Sequence, residues 1–198
     1  MEAGYLNNYF SGVAVKRLSA VEADASTSNQ HEYNGVSMLK HIFGTEMRRI
    51  ATDFLYLKDD EDDLKTSGEI TWYDARANNP NRTEWRLYYP SNDVTLRCGV
   101  GDSLFICLKN DGTALEIIAR KDSVIENQLF WLFNINPDDN PNVFTAHTEL
   151  VSPSADRVSF VARMILGHIG IDAIADDTDY SDILIERFGN AFPSTRDF

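Results

Sequence analysis

The amino-acid sequence predicts a mostly β fold, in which many short strands and two short helices form a barrel or pseudobarrel. Short runs with strand-like alternation follow one another closely through the first 120 residues. Asn110-Asp111-Gly112 is a strong hairpin signal between two of these runs. After residue 150 the apolar spacing becomes helical. We therefore expect a pseudobarrel domain over 1–150 and a helical extension with an interdomain linker over 151–198.

The elements follow from local patterns along the chain. Phe10, Val13 and Val15 indicate a first strand, and Gly35–Gly44 has the pattern of a short amphipathic helix closed by glycine. Further strands are predicted at 53–58, 69–75, 82–89, 94–99, 103–109 and 113–119.

Three helices are expected in the second half. Asp122 is placed to cap the first, whose apolar face includes Val124, Ile125, Leu129 and Trp131. Ser152-Pro153-Ser154 begins a second helix that ends near Gly167 or Gly170, and a third covers about 179–188.

Composition excludes several classes of protein. At 198 residues, with 43% apolar and 25% charged residues, the chain can bury a core as one domain with a short appendage. No apolar run approaches the roughly 20 residues that cross a bilayer. Cys98 and Cys107 lie in strand-like runs outside any CxxC pair, and the four histidines have no metal-binding spacing. We expect reduced buried thiols, no metal site and no membrane contact.

The formal charge of −13 argues against a nucleic-acid partner, because phosphate contacts normally supply most of the affinity. The acidic residues, however, are concentrated in 59–63 and 172–182. Basic residues cluster elsewhere, at Lys16-Arg17 and at Arg76, Arg82 and Arg86. A molecule with one basic face and acidic segments pointing away remains consistent with this distribution.

The most informative segment is 78–89. In a strand over 82–88, Arg82, Glu84 and Arg86 share one face, while Trp85, Leu87 and Tyr89 face the core. Arginine binds guanine O6 and N7, and glutamate accepts from cytosine N4. A carboxylate between two guanidiniums therefore favours reading of G·C pairs over binding of phosphates. The alternative is an exposed, ion-paired strand that contributes little energy.

Two further groups of polar residues extend this candidate surface. Arg76, Asn79 and Asn81 lie just upstream, although asparagines in loops are usually turn formers. A second segment offers hydroxyl, amide, imidazole and cationic groups that reach phosphates and base edges, or else is simply a flexible serine-rich loop; its candidates are Lys16, Arg17, Ser19, Asn29, Gln30 and His31.

At these two segments the sequence resembles the N-terminal effector domain of the EcoRII restriction endonuclease family. The similar blocks are Asn8-Tyr9-Phe10 and Lys16-Arg17-Leu18-Ser19-Ala20 with Gln30-His31, then Trp72-Tyr73-Asp74-Ala75-Arg76 with Arg82-Thr83-Glu84-Trp85-Arg86. A weaker similarity runs through 103–131, and 187–194 resembles the interdomain junction of that family.

The resemblance implies a DNA-binding pseudobarrel like the plant B-three domains, in which two arms enter the major groove and read a CCWGG site. It implies a monomeric, prokaryotic cytoplasmic protein whose partners are double-stranded DNA and a C-terminal nuclease domain of the same chain. Catalytic residues are then expected in that nuclease domain, and so is its Mg²⁺; the 198 residues themselves are expected to hold neither a catalytic centre nor a cofactor.

Two other functions remain open on the sequence. An acidic protein-interaction domain or DNA mimic is consistent with the charge of −13. A small hydrolase could use the carboxylates Asp138 and Asp139 after Pro137, but no acid-x-lysine pair follows them as it does in magnesium-dependent nucleases.

Overall fold

The computed structural model describes residues 5–23, 31–33, 36–59, 64–136, 144–147, 166–167 and 169–170. The chain divides into two compact units, Glu2–Ser154 and a second unit of Ala155–Phe198 with Met1. In the second unit, the described residues Leu166 and Ile169 are buried. The helices expected from 152 and over 179–188, and the junction at 187–194, lie largely or wholly outside the described residues.

The first unit is mostly β, as the sequence predicts. The described residues contain eight strands in one sheet: β1 Phe10–Arg17, β2 Glu32–Tyr33, β3 Arg48–Leu57, β4 Leu64–Asp74, β5 Trp85–Tyr88, β6 Ser103–Lys109, β7 Ala114–Ala119 and β8 Thr145–His147. Their order is β2-β5-β4-β3-β7-β6-β1-β8, and only the β3–β7 pair is parallel.

Short helices connect these strands. They are α1 Ala20–Ala23, α2 Lys40–Phe43 and α3 Val124–Leu132, with 3-10 turns at Tyr5–Tyr9 and Val36–Leu39. The short helix predicted to end at Gly44 is confirmed: Gly44 has φ 78° and donates its N–H to the Lys40 carbonyl. None of the described helices is long and apolar enough to cross a membrane.

The sheet curls so that its two edges approach each other. Tyr33 in β2 packs edge-on against Phe144, directly before β8, with ring centroids 6.2 Å apart. Tyr33 also stacks on Tyr89 at 4.2 Å. Inside the curl lies one apolar cluster that includes Phe54 and Trp72. Because these aromatic contacts join residues far apart in sequence, they form only when the whole sheet has assembled.

Strands β6 and β7 are buried on both faces, which explains their continuous apolar runs. One face contributes to the interior cluster. On the other, Phe105 contacts Phe130 and Phe133, at centroid distances of 5.1 and 5.7 Å, under α3. The hairpin predicted at 110–112 joins the two strands: Gly112 has φ 85°, and Lys109 N donates to Thr113 O at 2.8 Å.

The strand predicted over 94–99 is wrong, because residues 93–97 form turns. The Asn92 side-chain oxygen accepts from the backbone N–H groups of Val94 and Thr95, at 3.0 and 2.9 Å. An asparagine that binds the backbone two and three residues ahead favours a turn over a ladder. The strand predicted over 82–89 is shorter, Trp85–Tyr88.

The cap of α3 also differs from the prediction. Ser123, not Asp122, is the N-cap, and its hydroxyl accepts from Glu126 N at 3.0 Å. The Asp59 carboxylate accepts from the next two backbone N–H groups, of Val124 and Ile125. Ile125 and Leu129 face the core as predicted, whereas Val124 and Trp131 are exposed.

Strand β7 places an acid among the apolar side chains inside the curled sheet. Glu116 in β7 is fully buried, its Oε1 accepts from the Tyr33 hydroxyl, and its Oε2 has no hydrogen-bond partner. Burial raises the pKa of Glu116 to about 8, although the hydrogen bond from Tyr33 lowers it. The carboxyl group is therefore protonated at neutral pH and reaches from the middle of the sheet to its edge strand.

Candidate nucleic-acid interface

The loop between β4 and β5 projects polar side chains beyond the sheet. Asp74, at the end of β4, joins the two ends of this loop. Its Oδ1 accepts hydrogen bonds from the backbone N–H of Arg76 at 2.9 Å and of Glu84 at 2.7 Å. Ala75 N also donates to Glu84 O at 2.8 Å. We call residues 75–86 the arm.

The arm is positively charged in an acidic chain. Its charged residues are three arginines and one glutamate, against a formal charge of −13 for all 198 residues. Arg76 and Arg82 are exposed, and Arg86 is partly exposed. The arm is therefore a local exception to the charge of the molecule, as the sequence predicts.

Four charged side chains of the arm and its neighbour form a chain of ion pairs. Glu84 accepts from Arg76 Nε through Oε2 and from Arg86 Nη2 through Oε1, the latter at 2.6 Å. Arg86 Nη1 contacts Glu32 Oε2, in β2, at 2.8 Å. Each carboxylate thus lies against at least one guanidinium, which is the ion-paired alternative noted from the sequence.

These contacts decide the ionisation of Glu84. Hydrogen bonds from Arg86 and then from Arg76 lower the pKa of Glu84 to about 2. The hydrogen bond with Glu84 raises the pKa of Arg86. Glu84 therefore remains an anion and a pure acceptor across the physiological range, between two groups of donors.

The alternation of side chains over 82–89 predicts that Trp85, Leu87 and Tyr89 face the core, and the structure agrees. Leu87 and Tyr89 are buried, and Trp85 stacks on the buried Trp72 with centroids 4.9 Å apart. Glu84 and Arg86 point together to the outer side, where they bind each other. The prediction that Arg82 shares this face is wrong, because Arg82 lies in the loop before β5 and not on the strand.

Arg82 and the two asparagines have separate positions in the loop. Asn79 Oδ1 accepts from Asn81 N at 3.0 Å, so Asn79 helps to form the turn, as the alternative view of these asparagines expects. The exposed Arg82 side chain makes no ion pair or hydrogen bond with any described residue. It is the arm's most available cation.

Lys16, from the second candidate segment, is buried and forms an ion pair inside the protein. It faces into the curl, is 3% exposed, and places Nζ 2.7 Å and 2.9 Å from the two carboxylate oxygens of Glu22. Its ammonium group also lies 5.3 Å from the centroid of the Phe144 ring. A cation with these buried contacts supports the fold, and we leave it out of the proposed interface.

Arg17 and Ser19 also have structural contacts. Arg17 Nη1 binds Glu126 Oε1 at 2.6 Å and the Gly101 carbonyl at 3.0 Å. The Ser19 hydroxyl and backbone N–H both donate to Glu22 Oε2, at 2.7 and 2.9 Å. The backbone turn at Ser19 thus starts α1 and holds the carboxylate against Lys16.

His31 brings the second segment next to the arm. Its carbonyl accepts from Tyr89 N at 2.9 Å, and its ring lies edge-on to Tyr88 and Tyr89. It has φ 48°, at the point where the chain enters β2. Asn29 and Gln30 lie outside the described residues.

Two residues of this surface were not anticipated from the sequence. Glu32 and Tyr73 lie on β2 and β4 on either side of β5, and the Tyr73 hydroxyl donates to Glu32 Oε1. Burial, and then this hydrogen bond, raise the pKa of Tyr73. Glu32 directly follows the predicted His31, but the two-residue strand that turns it toward Arg86 is too short to give a periodic signal.

Among the described residues no group of three or more histidine, cysteine, aspartate or glutamate side chains is arranged to hold a metal ion. Pro137, Asp138 and Asp139, which the hydrolase alternative requires, lie outside the described residues.

Comparisons of the chain with models of known protein families and with curated proteins give no match.

Proposed function

We propose that this chain is a sequence-specific double-stranded DNA-binding domain on a pseudobarrel, and that its arm reads G·C base pairs in the major groove. The observation that carries the proposal is the fixed order of charges on the arm. An anionic Glu84 lies between the guanidiniums of Arg76 and Arg86, and the exposed Arg82 has no described partner.

The chemistry of DNA favours base edges as the target of this order. A carboxylate is repelled by phosphates but accepts from the cytosine amino group, and a guanidinium donates two hydrogen bonds to guanine. Three arginines also give the arm the positive potential needed for approach to DNA. The first contacts with phosphates are then made by Arg82 and Arg76, which are exposed.

The wider proposal follows the resemblance to EcoRII-type effector domains. The domain binds a CCWGG-type site as a monomer, His31 and the neighbouring Asn29 and Gln30 form the second arm, and cleavage belongs to a C-terminal nuclease domain that holds Mg²⁺. The position of His31 beside Tyr88 supports a second polar group close to the arm.

Duplex titration tests the proposal directly. We expect the protein to bind a CCWGG duplex at least a thousandfold more tightly than a scrambled duplex of the same composition, the lower end of the range for specific DNA-binding proteins. Fluorescence anisotropy at about 150 mM salt, with duplexes carrying single base-pair changes, measures this ratio. Equal affinity for all duplexes excludes specific recognition.

Glu84→Ala is expected to relax discrimination at one C·G position by about 1–3 kcal/mol, because the acceptor for the cytosine amino group is removed. Binding of the other positions should change less, and the preference is measured with the same duplex series. Glu69→Ala is the control, since Glu69 is an exposed carboxylate of β4 outside the arm. If Glu84→Ala keeps the wild-type pattern of preferences, Glu84 is a structural residue.

An acidic protein-interaction domain or DNA mimic is the second candidate function. The formal charge of −13 favours it, and so do the ion pairs that already occupy Arg76 and Arg86. The salt dependence separates the two functions: an affinity for duplex DNA that falls steeply with salt indicates release of counterions by a DNA-binding surface. No detectable binding of any duplex favours the acidic interaction domain.

A further inference from the structure

Arg86 is held from two sides by carboxylates of two different strands. Glu32 in β2 contacts Nη1, and Glu84 contacts Nη2, at 2.8 and 2.6 Å. Of the two, Glu32 is the more buried, with a side chain 15% exposed against 29% for Glu84. With both Nη groups occupied, the plane of the guanidinium is fixed relative to the sheet.

Glu32 itself is fixed by a third strand. Its Oε1 accepts from the hydroxyl of Tyr73, and Tyr73 is the cross-strand partner of Arg86 in the β4–β5 pair. The three side chains therefore span β2, β5 and β4 on the outer side of the sheet. The side chain of Glu32, in a two-residue edge strand, is thus positioned by the neighbouring strands of the sheet.

We propose that Glu32 is a specificity-determining residue that positions Arg86 for a base edge and suppresses its binding to phosphates. This inference rests on the proposed function and concerns the same site. Glu32 makes no contact with a base in this proposal; it acts through Arg86.

The electrostatic reason is the local balance of charge. Arg76, Glu84, Arg86 and Glu32 together have a net charge of zero, so a phosphate gains little from approaching Arg86. A guanine edge carries no net charge, so the same carboxylates repel it less strongly than they repel a phosphate. Exchange of a carboxylate contact for a base contact is therefore favoured over exchange for a phosphate contact.

The positioning reason is conformational entropy. A free arginine side chain loses several rotatable bonds when it binds, and that loss is avoided when the guanidinium is already fixed. The gain applies only to a ligand that matches the fixed geometry. Both effects of Glu32 therefore act on the ratio of specific to non-specific affinity.

Glu32→Gln tests both effects, since glutamine keeps the acceptor for Tyr73 and removes the charge. We expect the affinity for a scrambled duplex to rise, the specificity ratio to fall about three- to tenfold, and the salt slope for the scrambled duplex to steepen by about 0.9, as for one added phosphate contact. Glu69→Gln is the matched control: it removes the same charge from an exposed site on β4 and should leave the ratio unchanged.

Tyr73→Phe separates positioning from charge. It releases Oε1 of Glu32 but keeps the carboxylate, so the specificity ratio should fall while the salt slope stays as in the wild type. In the free protein, the Nη resonances of Arg86 should show restricted rotation by NMR, and Glu32→Gln should weaken the restriction at Nη1, while the contact of Nη2 with Glu84 remains. That measurement needs no DNA.

The outcomes distinguish this inference from the proposed function. Wild-type protein that shows no preference among duplexes overturns the function and this inference together. A wild-type preference that Glu32→Gln leaves unchanged, with an unchanged salt slope, overturns the role of Glu32 alone. A ratio that falls equally in Glu69→Gln also overturns it, because the effect is then one of bulk charge.

Discussion

Glu22→Gln is expected to lower the free energy of unfolding by about 3–5 kcal/mol, the usual loss when one partner of a buried ion pair is removed. The pair that it breaks is almost inaccessible to solvent: the side chains of Lys16 and Glu22 are 1% and 0% exposed. Glutamine keeps the shape of the side chain but leaves the ammonium of Lys16 without a buried counter-charge. Urea unfolding followed by tryptophan fluorescence measures the difference.

Two further variants make this expectation specific. Glu69→Gln breaks the exposed contact between Glu69 and Arg49, whose closest atoms are 3.9 Å apart, and should cost less than about 1 kcal/mol. Adding Lys16→Met to Glu22→Gln should recover most of the lost stability, because the uncompensated ammonium is then absent. A loss below about 1 kcal/mol for Glu22→Gln alone would show that water reaches Lys16.

The same pair decides a question about DNA. Lys16 was a natural candidate for phosphate contact on the sequence, since it stands beside Arg17 in a polar segment. If it is interior, the Lys16→Met variant with Glu22→Gln binds duplexes with an unchanged salt slope. If the salt slope of duplex binding instead becomes shallower by about 0.9, Lys16 contacts a phosphate and belongs to the interface.

Elements with local signals could be predicted from the sequence. The hairpin between β6 and β7 follows from Asn110-Asp111-Gly112, where the positive φ of Gly112 is required by the turn. The inward side of β5 follows from the alternation of Trp85, Leu87 and Tyr89. In these cases the residues that determine the structure are neighbours in the chain.

Features set by distant partners could not be predicted in this way. β2 has two residues and exists because β5 pairs with it. The alternation over 94–99 resembles a strand, but the Asn92 side chain satisfies the backbone first. The burial of Lys16 depends on Glu22 across the start of α1, and periodicity says nothing about such a pair.

The candidate site shows the same division. The sequence predicts Glu84 between Arg82 and Arg86, and the contact of Glu84 with Arg86 is confirmed, but the second guanidinium against Glu84 is that of Arg76 and not that of Arg82. Glu32 and Tyr73 enter the site only through the pairing of β5 with β2 and β4. A single sequence contains no signal for that arrangement, because the three strands are separated by loops of different lengths.

The formal charge of −13 is compatible with the proposed DNA partner if the acidic residues lie mainly outside the arm. Acids serve structural purposes elsewhere: Asp59 caps α3, Glu126 binds Arg17, and Glu22 binds Lys16. The arm instead has an excess of two positive charges. Under the proposed function, base contacts of the arm supply the specificity, and the carboxylates beside Arg76 and Arg86 limit non-specific binding to phosphates.

Stability should fall as the pH rises from about 5 to about 8, by about 1.4 kcal/mol per pH unit relative to a Glu116→Gln variant. Burial raises the pKa of Glu116 to about 8 from its ordinary value of 4.5, so the folded protein keeps a proton that the unfolded chain has lost. This contribution is complete below pH 4.5 and is lost as the pH rises through 8. Urea unfolding of both proteins at several pH values measures the difference.

Tyr33→Phe tests whether the hydrogen bond between Tyr33 and Glu116 contributes to this pH dependence of stability. The Tyr33 hydroxyl lowers the pKa of Glu116, so its removal should move the upper end of the pH window above 8. Parallel stability profiles for the wild type and Glu116→Gln would instead place the carboxyl group in contact with solvent. Because Tyr33 is next to Glu32 in β2, Tyr33→Phe also removes a contact of the strand that holds Arg86, and we expect it to lower the specificity ratio for DNA at every pH.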